Sequence, residues 1–273
     1  MNLPTFSTLN LSLADGIAEI RLNRPEKSNA MNDAMWQEIR QAFEWIDITP
    51  QARVAILSGE GKNFCAGIDL AMLGNIQQKI AHSDGARSRE SLRRLILDLQ
   101  DCLSSIERCR KPVIAAIQGA CVGGALDMVT CCDMRYASAD AVFAIKEIDL
   151  GMVADVGTLQ RLPHLIGQGM TRELAYTGRQ VDASEAEKIG LINRIFASNS
   201  ALTAAVHELA QTIAAKSPLA IRGLKEVMNY SRDHSVSDGL NHVASWNAAL
   251  LVSGDLKECM TARHEKRPPQ FAD

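Results

Sequence analysis

From Val113 to Cys132 the chain is almost wholly apolar, with glycines at 119, 123 and 124 inside the run. Lys111-Pro112 bounds it on one side and Asp133 on the other. A stretch of this length has two physical solutions. One is a membrane-spanning helix, to which the Gly119-x-x-x-Gly123 spacing lends a helix-pairing motif. The other is a buried strand, a glycine turn and a buried helix. Gln118, Asp127 and Thr130 interrupt the run, and an Asp at mid-membrane costs roughly 3 kcal/mol on insertion scales. The second solution follows: a strand over 113–117, a turn of small residues and a short helix. No membrane partner is expected.

The same arrangement occurs once more. Residues 53–58 contain the buried-strand run Val-Ala-Ile-Leu, and the turn GEGKNFCAGIDL follows over 59–70. The two copies, near 53–73 and 113–132, read as a structural repeat with slight sequence identity. Around them, 16–23 reads as a strand ending before Arg24-Pro25. Asn32 is a helix cap ahead of a stripe of Met35, Ile39, Ala42, Phe43 and Ile46 with a period near 3.6. Residues 75–90 are polar and read as irregular. Leu92, Leu95, Ile96, Leu99, Leu103 and Ile106 trace a long amphipathic helix, and 141–145 is strand-like. Strands alternating with helices predict an α/β core over 1–197. From 198 to 273 the pattern is helical, over 201–215, 217–230, 236–251 and 255–265, which predicts a capping or oligomerisation region.

Composition excludes several classes. A net charge of -3 over 273 residues gives no basic face for nucleic acid. Among the seven cysteines, Cys65, Cys121, Cys131 and Cys132 sit in apolar sequence without CxxC spacing. They are expected to be reduced core thiols of a cytoplasmic protein. That compartment also matches an N-terminus without a basic or long apolar leader pattern and a C-terminus without Ser-Lys-Leu. Gly59-Glu60-Gly61-Lys62 lacks the phosphate-loop spacing. Gly119, Gly123 and Gly124 lack the dinucleotide spacing. No histidine pair has metal-ligand spacing, and no G-x-S-x-G elbow is present.

Three acids stand among glycines and apolar residues: Asp127, Glu147 and Asp155. Carboxyls in such surroundings have raised pKa values and suit proton transfer near neutral pH. The turns Cys65-Ala66-Gly67 and Val122-Gly123-Gly124 let a ligand approach backbone N–H groups closely. Together they can offer one N–H each to a carbonyl oxygen, which points to enolate chemistry. The bland alternative is a pair of tight turns with helix caps. Asp155 before VGTLQRL also fits an N-cap. Glu147 and Asp149 share a face if the strand continues, so alternation does not choose between them.

At the level of motifs the chain resembles the crotonase (enoyl-CoA hydratase/isomerase) family over nearly its full length. The carrying residues are RPEKSNAMN at 24–32, FCAGIDL at 64–70, KPVIAAIQGACVGGALDMVTCCDMRYA at 111–137, EIDLGMVADVGTLQRLP at 147–163 and EKRPP at 265–269. The resemblance implies repeated ββα units with a C-terminal helical region, a homotrimer or homohexamer, and an acyl-CoA thioester ligand. By motif match the oxyanion N–H groups fall to Ala66 and Gly124. Ala66, Gly67, Ile68, Asp69, Leu70 and Gly124 then line the substrate site, with 27–30 nearby.

Within that family the acids decide the reaction. Hydratases carry glutamates at the positions matching Asp127 and Glu147 and typically glycine where Asp155 stands. The set Asp127, Glu147 and Asp155, and the segment YSRDHSV at 230–236, resemble the Δ3,Δ5-Δ2,Δ4-dienoyl-CoA isomerase branch. The family register also selects Glu147 over Asp149. One departure is Ala125, where a third glycine is common. The implied activity is a shift of both double bonds of a 3,5-dienoyl-CoA in fatty acid β-oxidation, with no metal or redox cofactor. The alternatives are a 2-enoyl-CoA hydratase, another enzyme of the family, or a non-catalytic acyl-CoA binder.

Overall fold

The computed structural model describes residues 3–273. It begins with a hairpin, β1 (Leu9–Ala14) against β2 (Ile17–Leu22), in antiparallel register. The turn is Asp15-Gly16, both at positive φ (51° and 80°), as a two-residue hairpin turn requires. The remaining strands are β3 (Val54–Gly59), β4 (Val113–Ile117), β5 (Ala120–Val122), β6 (Met134–Ser138), β7 (Val142–Ala144), β8 (Val181–Asp182) and β9 (Arg194–Phe196). A six-stranded sheet runs β1-β2-β3-β4-β6-β9, parallel from β2 onward. A smaller sheet runs β5-β7-β8.

Alternation along the central strands explains their continuous apolar runs. Ala55, Leu57, Val113, Ala115 and Ile117 face one core, shared with Met35, Ile39 and Phe43 of the helix Asp33–Ile48 and with Leu99 and Leu103 of the helix Gly85–Arg108. Val54, Ile56, Ile114 and Ala116 face the other way, onto Leu202, Val206 and Ala210 of the helix Asn199–Ala214.

One unit repeats: a strand of the large sheet, a short strand or single bridge in the second layer, then a helix. β2 leads to Met31 and the helix Asp33–Ile48. β3 leads to Cys65 and Ile68 and the helix Leu70–Gly74. β4 leads to β5 and the helix Gly124–Thr130, and β6 leads to β7 and a 3-10 turn over Glu147–Leu150. Parallel bridges join Met31 to Ile68 and Cys65 to Cys121. The ββα expectation therefore holds, and the repeat is longer than the two copies visible in sequence. The apolar run at 113–132 divides as expected. Among the described residues no helix is long and apolar enough to cross a membrane.

Two readings are corrected. Residues 75–90 are not irregular throughout. A short helix covers Ile76–Lys79, and the long helix starts at Gly85, seven residues before its apolar stripe, because Asp84 accepts from the Ala86 and Arg87 N–H groups and caps it. The strand before Glu147 ends at Ala144, and the 3-10 turn separates the two acids that alternation would have kept together.

The C-terminal helices are Asn199–Ala214, Pro218–Arg232, Val236–Leu250 and Gly254–Glu265. Lys225 fastens the second of these to the core. It is 4% exposed, and its ammonium donates to the Ile106 and Lys111 carbonyls and to Asp133 Oδ2 at 2.8 Å. Asp133 Oδ2 also accepts from the Val113 N–H, at the start of β4. Removing one partner of such a pair leaves the other uncompensated. Lys225→Met should therefore lower unfolding free energy by about 3 kcal/mol, read from the urea midpoint; an unchanged midpoint would contradict this role.

Candidate active site

The 24–32 segment sets the floor of the site. Ser28 and Asn29 are both left-handed, with φ of 50° and 54°, a conformation Asn tolerates better than most residues. The buried Asn29 amide donates to the carbonyls of Glu60, Asn63 and Phe64, and its Oδ1 accepts from the Arg24 N–H. Asn29 thus locks this segment to the turn after β3. Sequence reading placed 27–30 near the site but missed this lock; an Asn inside a Pro-flanked turn was the available signal.

The two glycine turns lie side by side. Cys65 N–H donates to the Ala120 carbonyl at 2.9 Å and Val122 N–H to the Cys65 carbonyl at 3.2 Å. Gly67 has φ of 88°, and a Cβ there would stand 2.7 Å from the Val122 carbonyl oxygen and 3.2 Å from the Gly124 nitrogen. Only glycine allows this approach. A Cβ at 124 would lie 2.8 Å from Met31 Cε and 3.8 Å from both the Ile68 nitrogen and the Trp36 ring.

Which N–H groups are free corrects one expectation. Ala66 N–H donates to the Ser28 carbonyl at 2.9 Å, so it is already spent. Met31 N–H donates to the Gly67 carbonyl and Asp69 N–H to the Met31 carbonyl. Ile68 N–H, between them, has no acceptor among the described residues, and neither has Gly124 N–H. The neighbouring pair able to receive a carbonyl oxygen is therefore Ile68 and Gly124. The motif points to the right turn but one N–H too early, because a carbonyl far back in sequence claims Ala66. Asp69 caps the helix Leu70–Gly74 by accepting from Ala71 N–H and pairs with Arg24 at 3.0 Å. Leu70 is exposed.

The acids surround these turns differently. Asp127 is fully buried; its Oδ1 accepts from Thr158 N–H at 2.6 Å while its Oδ2 has no partner. Thr158 is the first residue of the helix Thr158–Ile166, so the buried carboxyl satisfies one of that helix's unpaired N–H groups. The buried Thr158 hydroxyl also lacks a partner. Glu147 stands beside the second turn: a Cβ on Gly123 would be 3.4 Å from Glu147 Oε1, and Oε2 is buried and unpaired. Asp149, by contrast, is exposed and pairs with Lys146 at 2.8 Å. Asp155 is exposed at the rim, its carbonyl accepting from Gln100 Nε2 at 2.6 Å. It does not cap the following helix, whose N-cap is Gly157 without a side-chain bond. The N-cap alternative for Asp155 is thereby removed.

All three carboxyls are lifted above the ordinary range. Burial lifts Asp127 most, to about 7, with the neighbouring Glu147 charge adding, the Thr158 N–H bond opposing and Asp155 adding a little more. Burial also raises Glu147, offset by backbone N–H groups and reinforced by Asp155. Partial desolvation raises Asp155. Coupled acids resist ionising together, so one can accept a proton while another holds one. The cysteines of this region are inert by the same physics: burial pushes the Cys65 and Cys131 thiols up to about 12.

Two adjoining free N–H groups flanked by coupled acids, on a ββα scaffold, define an acid–base site built to hold a carbonyl. The comparisons with known proteins agree on the class. The chain belongs to the enoyl-CoA hydratase/isomerase family, which it matches over residues 12–273. Among its relatives, the Δ(3,5)-Δ(2,4)-dienoyl-CoA isomerase of Arabidopsis thaliana, named as peroxisomal, is 46% identical over 276 residues, covering 100% of this chain and 99% of that one. The mitochondrial protein of the same name from Homo sapiens is 44% identical over 252 residues, covering 92% of this chain and 77% of its own length. A crystal structure of an enoyl-CoA hydratase from Bacillus anthracis superposes with a TM-score of 0.88 at 30% identity, covering 97% of this chain and 99% of that one.

The buried carboxyl has a pH signature. An acid held at about 7 when folded and at 3.8 when unfolded favours the folded state while protonated. That contribution is complete below the unfolded value and is lost as pH rises through about 7. Asp127→Asn keeps an acceptor for Thr158 N–H but does not titrate. Its stability relative to the parent should rise between pH 5 and pH 8, by at most roughly 1.4 kcal/mol per pH unit. Urea midpoints at the two pH values check this; a constant difference would contradict a buried, raised Asp127.

Proposed function

We propose that this protein is a Δ3,Δ5-Δ2,Δ4-dienoyl-CoA isomerase acting in fatty acid β-oxidation. The observation that carries the reading is Asp155: a third acid, electrostatically coupled to Glu147, at a position where it caps no helix. The thioester carbonyl accepts from Ile68 and Gly124 N–H, which makes the adjacent second carbon acidic. Glu147 removes that proton. The resulting dienolate carries charge as far as the sixth carbon, and Asp155 delivers a proton there. Both double bonds move toward the thioester and conjugate with it. Asp127, sealed from solvent, acts through its charge on Glu147 and its hold on Thr158 rather than by touching the acyl chain. A hydratase places two acids around one water at the third carbon and has no use for a far proton donor.

The reaction is redox-neutral and consists of proton transfers, so no cofactor is invoked beyond the coenzyme A of the substrate. Gly67, Ile68, Asp69 and Leu70 form the lip over which the thioester enters. We further propose that the C-terminal helices from 198 onward serve in a homotrimer or homohexamer. Leu224, Met228, Leu240, Leu251 and Met260 leave apolar surface exposed there. Six cysteines are buried and unpaired and the seventh, Cys259, is exposed, which fits a reducing compartment. The cytoplasm is one such compartment, although the relatives' names place those proteins in peroxisomes and mitochondria.

The direct test sets 3,5-octadienoyl-CoA beside crotonyl-CoA in an ultraviolet assay. Isomerisation should outrun hydration by at least about tenfold, a barrier difference of roughly 1.4 kcal/mol; faster hydration would reject the reading. Asp155→Asn should lower turnover by roughly 10²–10⁴-fold with little change in acyl-CoA affinity. Full turnover would remove Asp155 from the chemistry.

Gly124→Val probes the carbonyl site. Alanine at 124 needs only the flexible end of Met31 to move, whereas a branched side chain also meets Trp36 and the space before Ile68 N–H. The valine variant should lose at least about a hundredfold in kcat/KM, as for a lost oxyanion donor, and the alanine variant much less. Near-normal kinetics in a folded Gly124→Val protein would exclude this turn.

A further inference from the structure

Moving a proton from the second to the sixth carbon leaves the enzyme in the wrong state. The C2–H bond breaks with its proton on Glu147, and the new C6–H bond takes the proton of Asp155. Glu147 ends protonated and Asp155 ionised. Before the next turnover Glu147 must give up a proton and Asp155 must gain one. Either the proton passes directly between them, or each exchanges with water.

Asp155 opens on a second chamber. A cavity of about 330 Å³ is lined by Asp155, Gln100, Ser104, Gln160, His164 and Arg232, among others. It shares only the Asp155–Gly157 segment with the site described above; Glu147, Asp127, Ile68 and Gly124 are not in its wall. Apart from Asp155 itself its charges cancel: Glu107 pairs with Arg161 at 2.9 Å and with Arg232, and Arg232 pairs with Asp233. A wall of paired charges and amides is costly to cover with an acyl tail but suits water. It also has no net positive charge with which to hold an anion. The Gln100 bond to the Asp155 carbonyl fixes that residue at the chamber's edge. His164 contributes an imidazole, whose two ring nitrogens can take up a proton on one side and release one on the other. Arg232 and Asp233 belong to the YSRDHSV segment, so this chamber gives that segment a place in the site's surroundings.

We propose that this chamber is the proton-return route: water in it, with His164 as the exchanging group, reprotonates Asp155 after each turnover, and Glu147 releases its proton separately to water. The inference rests on the isomerase reading. It assigns His164 as a residue acting through Asp155, not on the substrate.

The test uses the full-length protein and 3,5-octadienoyl-CoA carrying deuterium at the second carbon, in ordinary water. Solvent return predicts 2,4-dienoyl product without deuterium at the sixth carbon. Deuterium at that position would show direct transfer from Glu147 to Asp155 and overturn the proposal while leaving the isomerase reading intact. Absence of any diene shift would overturn both. A second measurement addresses His164. In His164→Gln the first turnover, followed by stopped flow, should match the parent, while steady-state turnover falls roughly tenfold and recovers with added imidazole. A slowed first turnover, or an unchanged steady state, would overturn the role of His164.

Discussion

The pairing of Cys65 with Cys121 is the contact on which the site depends. It is one parallel bridge, but it brings the turn after β3 against the turn after β4. Each turn belongs to a different copy of the same ββα unit, and each copy hangs from a neighbouring strand of one sheet. Gly67 and Gly124 can therefore pack within van der Waals reach, and a side chain at 67 would force the turns apart. The hydrogen bonds that secure the arrangement use most nearby N–H groups and leave those of Ile68 and Gly124 unused. A free donor pair is thus a residue of the folding solution, held rigid by a large core on one face of the sheet and the helix Asn199–Ala214 on the other.

The acids are placed at graded depth around that pair. Asp127 is sealed in and pinned by a helix start, Glu147 is half-buried with one oxygen unpaired, and Asp155 is at the rim. The unsatisfied oxygens of Asp127 and Glu147 cost stability, as buried polar atoms without partners do. A chain selected for stability alone would replace them. Their persistence in one neighbourhood is physically intelligible if protons move there.

Much of this was legible before folding. The Asn32 cap and the 35–46 stripe, the buried strands at 54–57 and 113–117, both glycine turns and the acids as candidates follow from residue type and spacing, with Glu147 chosen over Asp149 only by the family resemblance. What was not legible depends on partners distant in sequence. The spent N–H of Ala66 depends on Ser28, and the free N–H of Ile68 on how Met31 pairs across it. The choice of Glu147 over Asp149 depends on a 3-10 turn that no alternation rule anticipates. β1 was missed although Asp15-Gly16 is a hairpin signal, and the first turns of the long helix were missed because their residues are polar and only the Asp84 cap marks the start. Short strands such as β5 and β9, three residues each, carry too little periodicity to be read alone.

The central claim is a division of labour: Glu147 handles the near proton and Asp155 the far one. Solvent deuterium read by position tests it most directly. In heavy water with 3,5-octadienoyl-CoA, Asp155→Asn should exchange hydrogen at the second carbon without forming the 2,4-diene, and Glu147→Gln should do neither. Product formation by Asp155→Asn, or undiminished exchange at the second carbon by Glu147→Gln, would contradict the account.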